Sequence, residues 1–166
     1  MKKLGWIGIV LVFVFSLAAC GAQSPQDMVS EALGVDASTG STMSSMDTHS
    51  GNGDGVSCVV LHYDGDEMIK QIKADTAWKP FPLDETVQTL VYGVSDETSS
   101  TGPFLTDEDG ETLVPAIQNG YYRLIDRQAE PGKATGTDIL NRASFNFTVG
   151  LYDTDTNTLY CCELDT

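Results

Sequence analysis

The stretch that decides the fold is ASFNFTVGLYDTDTNTLYCCEL, residues 143–164. In its first half every second residue is apolar, so one side of an extended chain carries Phe145, Phe147, Val149 and Leu151. A period of two is typical of a strand with one buried face. Residues 153–158 are Asp, Thr and Asn, which favour turns, and the chain then becomes apolar again. The pattern therefore predicts an antiparallel hairpin.

The hairpin has one register that keeps its large apolar side chains together. If the turn closes over residues 154–157, the pairs are Leu151 with Tyr160, Val149 with Cys162, and Phe147 with Leu164. Cys161 then lies on the opposite face, beside Gly150. A slip of one residue would divide the apolar side chains between the two faces, so we predict this register.

The segments before the hairpin complete a small domain. Residues 56–63 are rich in β-branched side chains and predict a buried strand, and residues 121–126 predict another after the turn signal Asn119-Gly120. Helical spacing of apolar residues predicts two short helices, one over residues 67–74 and one after Asp84. We predict a single α+β domain over residues 56–166, with an antiparallel sheet of about four strands and the two short helices on one face.

The amino end has the features of an export signal. Lys2 and Lys3 precede an apolar run that ends at Ala19, and this run is shorter than the roughly 18 or more residues of a confident spanning helix. Leu-Ala-Ala-Cys, residues 17–20, resembles the lipobox of bacterial lipoproteins. The resemblance implies that residues 1–19 are a signal peptide and that Cys20 receives a diacylglyceryl group. We expect two acyl chains to hold the protein on the extracytoplasmic face of the cell membrane.

Residues 20–55 connect this anchor to the predicted domain. Ser24 and Pro25 favour the start of a short helix that Gly34 ends. Residues 36–55 are rich in Ser, Thr and Gly and contain no aromatic residue. Because such a composition buries little apolar area, we predict a flexible tether here. As a random coil, residues 21–55 would span roughly 30–35 Å.

The charge of the chain restricts its partners. Without Lys2 and Lys3, seven basic residues face 24 acidic ones, which gives the mature chain a formal charge of −17. This balance excludes a nucleic-acid partner, because phosphates require a basic surface. It also excludes electrostatic binding to anionic lipids, so we expect the lipid on Cys20 to make the membrane contact.

Two groups of side chains are candidate cation sites. Asp47, His49 and Asp54 could converge on a divalent cation, with His49 as a base, although the segment also fits the frayed end of the tether. Asp153, Asp155 and Asn157 have the spacing that opens a calcium-binding loop. The rest of that loop does not follow, because Leu164 occupies the position of the bidentate acid, and a plain hairpin turn explains the same residues.

Three cysteines remain after Cys20. Neighbours on a strand point to opposite faces, so Cys58 can pair with only one of Cys161 and Cys162. A Cys58–Cys162 disulfide fits an oxidising location, and three free thiols fit an anaerobic one.

Several motifs from Asp47 onward resemble those of small proteins of unassigned activity from gut Firmicutes, some of which carry lipoprotein signals. They are Asp47-Thr48-His49 with Gly53-Asp54-Gly55, Trp78-Lys79-Pro80, Asn119-Gly120-Tyr121-Tyr122, Ile125-Asp126-Arg127, Asn141-Arg142, Ser144 to Thr148, and Tyr152 to Tyr160. The resemblance implies a recurring domain and brings no activity with it.

We therefore expect a non-enzymatic, lipid-anchored module that binds a protein or a small ligand. One alternative is a metal-assisted hydrolase at Asp47, His49 and Asp54. Another is an immunity or accessory protein of an exported system.

Overall fold

The structure, a computed structural model, describes residues 23–129 and 137–166. This part of the chain contains three α-helices: α1 (Pro25–Leu33), α2 (Glu67–Ala74) and α3 (Glu85–Tyr92). A 3₁₀ turn covers Thr137–Asn141. The strands are β1 (Ser41–Asp47), β2 (Gly55–His62), β3 (Lys79–Pro80), β4 (Val94–Ser95), β5 (Ser100–Thr101), β6 (Gly120–Asp126), β7 (Asn146–Asp153) and β8 (Thr158–Asp165). None of the described helices is long and apolar enough to cross a membrane.

The main sheet is antiparallel and has six strands in the order β1-β2-β8-β7-β6-β3. The α+β class is confirmed, but the expected number of about four strands is wrong. The two additional strands are the edges. Strand β3 has only two residues, one of which is Pro80, and β1 lacks an apolar alternation. Neither edge carries the hydrophobic pattern by which a strand is recognised in a sequence.

The predicted register of the β7–β8 hairpin is confirmed. Leu151 pairs with Tyr160, Val149 with Cys162 and Phe147 with Leu164, while Gly150 pairs with Cys161. Asn157 closes the turn with a φ of 52°, a left-handed conformation that Asn adopts more easily than most residues. The turn and the alternation thus act together to fix the pairing.

Helices cover both faces of the sheet, so the prediction of two helices on one face is wrong. Helices α1 and α2 pack with Trp78 over the face that carries Leu159 and Cys161. Helix α3 packs over the other face, which carries Val149 and Cys162. The alternation in β7 indicated only one buried face, because Thr148 and Gly150 on the other face are small or polar, and yet both are buried.

The tether prediction is wrong for residues 41–47, which form the edge strand β1. Ser41 pairs with His62 and Asp47 with Ser57, with one register shift between Thr42 and Ser44. Backbone hydrogen bonds hold an edge strand, and they do not depend on the side-chain hydrophobicity from which the tether was inferred. A tight hairpin over residues 48–54 then leads into β2.

Helix α1 is part of the domain as well. The Ser24 hydroxyl accepts a hydrogen bond from the backbone N–H of Asp27, and Gly34 ends the helix with a φ of 63°, as predicted from the capping residues. Val29 and Leu33 of this helix are fully buried against the sheet. The folded domain therefore includes helix α1, well before the predicted start at residue 56.

Candidate functional site

A histidine held between two carboxylates lies at one end of the β1–β2–β8 sheet. We call Asp47, His49 and Asp165 the histidine cluster. The two ring nitrogens of His49 lie 2.6 Å from Asp47 Oδ1 and 3.2 Å from Asp165 Oδ2. Gly55 permits this approach, since a Cβ at that position would lie 2.4 Å from His49 Cα. The sequence indicated that Asp47 and His49 lie close together, as they do in the structure. It gave no indication of Asp165, which is distant from them in the chain.

The carboxylates favour the charged form of the imidazole. Burial opposes this by lowering the pKa of His49, but the hydrogen bonds to Asp47 and Asp165 outweigh burial, so the pKa is raised. Hydrogen bonds from the backbone and the ring of His49 hold the pKa of Asp47 below its usual value. With both nitrogens facing carboxylates, His49 is arranged as a hydrogen-bond donor.

Arg127 extends this cluster across the sheet. Its guanidinium donates to both carboxylate oxygens of Asp165 at 2.6 Å and to Glu163 Oε1 at 3.0 Å. It also contacts Thr148, whose hydroxyl donates to Glu163 Oε1 at 2.8 Å. The resulting chain of charges runs from β1 to the loop after β6.

Asp54 does not join His49. Its carboxylate accepts from the side-chain amide of Asn52 at 2.7 Å within the β1–β2 hairpin. The side-chain contacts therefore do not bring the first candidate cation set, Asp47, His49 and Asp54, to one point. Within residues 23–129 and 137–166, no group of three or more His, Cys, Asp or Glu side chains is arranged to hold a metal ion.

The second candidate cation set forms the β7–β8 turn. Asp153 Oδ1 accepts from the backbone N–H of Asp155 at 2.9 Å, and Asp153 Oδ2 accepts from the Thr156 hydroxyl at 2.8 Å. Asp155 accepts from the side-chain amide of Asn119, and Asn157 accepts from the Tyr152 hydroxyl. The oxygen atoms of the set thus stabilise the turn itself.

The cysteines on β2 and β8 have two different states. Cys58 and Cys162 are paired across these strands and joined by a disulfide, the pair named from the sequence. Cys161 is a free thiol and is buried on the opposite face of the sheet. Burial raises the pKa of the Cys161 thiol to about 12, so it stays protonated at neutral pH.

A cavity of about 260 Å³ lies between α1 and the sheet. Its apolar wall consists of Met28, Val29 and Ala32 of α1 together with Val59 of β2. The Cys161 thiol also lines it. Most ligand sites combine such an apolar wall with a few polar groups, so this cavity is the candidate binding site.

The polar groups of the cavity come from two sides. Ser57 and Glu163, directly paired on β2 and β8, line it on the sheet side, while Glu31 of α1 and Gln23, which precedes this helix, line the other side. Ser57 is 6% exposed, and its hydroxyl makes no hydrogen bond within the described residues. Glu163 uses only Oε1 in its bonds to Arg127 and Thr148. Glu31 accepts from Gln23 at 2.9 Å.

The sequence did not point to this cavity. Its residues are 140 positions apart at the extremes, from Gln23 to Glu163, and meet only because α1 packs on β2 and β8. Glu163 gave no signal either, because the predicted register puts it on the face opposite the apolar one, together with Cys161. Cys20, the predicted lipidation site, lies outside the described residues.

No protein-family model matches the chain, and comparisons with curated proteins and with solved structures find no match either.

Proposed function

We propose that this chain is a lipid-anchored protein of the extracytoplasmic membrane face, and that its domain binds a small ligand in the cavity beside α1. One observation carries the proposal. The cavity is built on α1, and this helix begins at Pro25, five residues after the cysteine of the lipobox-like sequence. The proposed anchor and the proposed binding site are therefore neighbours in the chain.

The chemistry of the cavity supports binding without catalysis. Its one thiol is a weak nucleophile, since thiolate is the reactive form and the pKa of Cys161 is raised to about 12. His49, the other candidate for proton transfer, lies outside the cavity wall, with both ring nitrogens against carboxylates. The apolar wall and the unpartnered Ser57 hydroxyl are suited to holding a molecule in place.

The other expectations remain predictions. No observation among the described residues favours a divalent cation or a protein partner. The same holds for metal-assisted hydrolysis at Asp47, His49 and Asp54, and for an immunity or accessory role.

Lipidation can be tested by replacing the acceptor thiol. In a bacterial host fed an alkyne-tagged palmitate, we expect the wild-type chain to incorporate the tag and Cys20→Ala to lose it. The variant should also keep its signal peptide, which mass spectrometry of the intact chain would detect. Cys161→Ala is the matched control, because it removes another thiol and should label like the wild type. Tag incorporation into Cys20→Ala, or none into the wild type, would contradict the proposed anchor.

A further inference from the structure

We infer that the ligand of the cavity is a small organic cation, namely an ammonium ion that carries a short alkyl chain. This inference rests on the proposed function, because it names the chemical class that the same cavity would bind. The occupant is a free small molecule.

The sheet side of the cavity has acceptors for an ammonium group. Ser57 is only 6% exposed, and its hydroxyl has no hydrogen-bond partner among the described residues. Glu163 stands opposite Ser57 in the β2–β8 pairing, and its Oε2 makes no hydrogen bond in the described part of the chain. An ammonium ion has three N–H donors and no acceptor, so it can satisfy both oxygens.

Glu163, which lines the cavity, belongs to a charge network that lacks one cation. Three carboxylates, those of Asp47, Asp165 and Glu163, are connected to one guanidinium, that of Arg127, and to one imidazole, that of His49. Even with the imidazole protonated, this network keeps one negative charge. Glu31, on the α1 side of the cavity, contacts only the neutral amide of Gln23 in the described residues. A bound anion would meet uncompensated like charge, whereas a cation would neutralise it.

The remaining wall fits the alkyl part of such a ligand. Val29 and Val59 are buried and line the cavity with Met28 and Ala32. At about 260 Å³, the cavity is smaller than the roughly 300–1,000 Å³ typical of sites for drug-sized molecules. The occupant is therefore a small molecule with one charged end and one apolar end.

The test compares three ligands with the same tail and different charge. The mature full-length chain, held in lipid nanodiscs, would be titrated with n-butylamine, 1-butanol and butyrate at pH 7. The amide resonances of Ser57, Val59 and Cys161 would report binding by NMR. We expect butylammonium to bind about tenfold or more tightly than butanol, because a charged hydrogen bond is added to the same apolar contact. Butyrate should leave these resonances in place.

Two variants and one control localise the effect. Glu163→Gln should weaken butylammonium binding about tenfold and leave butanol binding unchanged, and Ser57→Ala should weaken the amine several-fold. Glu108→Gln is the matched control, because it removes the same charge from an exposed loop outside the cavity. Unchanged butanol binding also shows that each variant keeps its cavity.

The outcomes separate the two proposals. If none of the three ligands shifts the resonances of the cavity, binding at this site is overturned together with the cation. If butanol or butyrate binds as tightly as the amine, the site stands and the cationic ligand is wrong. If Glu108→Gln weakens butylammonium binding as much as Glu163→Gln does, the preference for the amine comes from the overall charge of the protein, and the inference is overturned.

Discussion

At the scale of single residues, the histidine cluster couples the protonation of one side chain to the folded state. Asp47 reaches His49 from β1, and Asp165 reaches it from β8, so the imidazole meets both carboxylates only when these strands are in place. The His49 side chain is 22% exposed, which leaves it partly shielded from water. Its charge is therefore stabilised by folding.

We predict that His49 stabilises the domain more in acid than in base. Because its pKa is raised on folding above the unfolded value of about 6.5, the stabilisation is complete below that pH. It is lost as the pH rises through the folded pKa. His49→Gln should cost about 1 kcal/mol of unfolding free energy at pH 5.5 and clearly less at pH 8.5. Urea denaturation of both proteins at the two pH values measures this difference.

His62 provides the control for this experiment. It has one carboxylate nearby, that of Asp64, at 3.6 Å and 97% exposed. His62→Gln should therefore change the unfolding free energy by less than about 0.5 kcal/mol. A cost of His49→Gln that is equal at pH 5.5 and pH 8.5 would show that the cluster does not hold a charged imidazole.

One ion pair shows what a sequence cannot tell about a single residue. The Arg142 guanidinium donates to both carboxylate oxygens of Asp126, at 2.8 and 2.6 Å, and the Asp126 side chain is only 2% exposed. This pair lowers the pKa of Asp126. The burial of Asp126 depends on the position of the 3₁₀ turn Thr137–Asn141 beside the end of β6. The local sequence does not encode this position.

At the scale of elements, Gly150 sets the distance between the sheet and its helical cover. A Cβ on Gly150 would lie 2.7 Å from Trp78 Cη2 and 2.9 Å from Leu33 Cδ1. Both contacts belong to fully or nearly fully buried side chains, which have little room to move. The close packing of α1 on β7 therefore requires glycine at this position.

We predict that Gly150→Ala destabilises the domain by about 1–3 kcal/mol through overpacking. Gly51→Ala is the matched control, since a Cβ at position 51 meets no atom within 4 Å and Gly51 has no positive φ. The control should change the unfolding free energy by less than about 0.5 kcal/mol. Chemical denaturation of both variants measures the contrast, and a neutral Gly150→Ala would show that α1 does not press on the sheet here.

The elements that could be predicted are those with a strong local pattern. The β7–β8 hairpin was predicted with its register, and α1 and α3 were recognised from Ser24, Gly34 and Asp84, which cap them. Strand β1 could not be predicted, because Ser41–Asp47 is polar and almost wholly exposed on its side chains. Its stability comes from pairing with β2, and no property of residues 41–47 themselves signals that partner.

The candidate site was predicted only in part for a related reason. Asp47 and His49 are two residues apart, so their contact is local and visible in the sequence. Asp165, Arg127 and the walls of the cavity come from distant segments that meet through the sheet order and through the packing of α1. Sequence spacing does not indicate which distant segments pack together unless the topology is already known.

At the scale of the whole molecule, the packing of α1 changes how far the domain can stand from a membrane. A tether of 35 residues would have placed it roughly 30–35 Å away. With the helix cap at Ser24, only three residues lie between Cys20 and this cap, and a fully extended chain from Cys20 to Ser24 spans at most about 14 Å. If Cys20 is lipidated as we propose, the domain and its cavity lie next to the lipid head groups.

We predict a short gap between bilayer and protein. Neutron reflectometry of the lipidated chain on a supported bilayer should place the protein layer within about 15 Å of the head groups. Inserting twelve Gly and Ser residues after Gly21 should widen and blur this gap by roughly 15–20 Å, because a flexible segment of that length adds about that distance. A wild-type gap near 30 Å would show that the domain stands on a longer connection.

The alternation of side chains along β8 has a consequence for the three cysteines. Cys162 forms its disulfide with Cys58 in one core, while Cys161, its neighbour in the chain, points into the other. Disulfide exchange needs a thiolate that reaches a disulfide sulfur in line. Here the thiol is protonated, with its pKa raised to about 12, and the backbone of the sheet stands between the two. The native fold thus insulates a reduced sulfur from an oxidised one, so a free thiol can persist beside a disulfide without exchange.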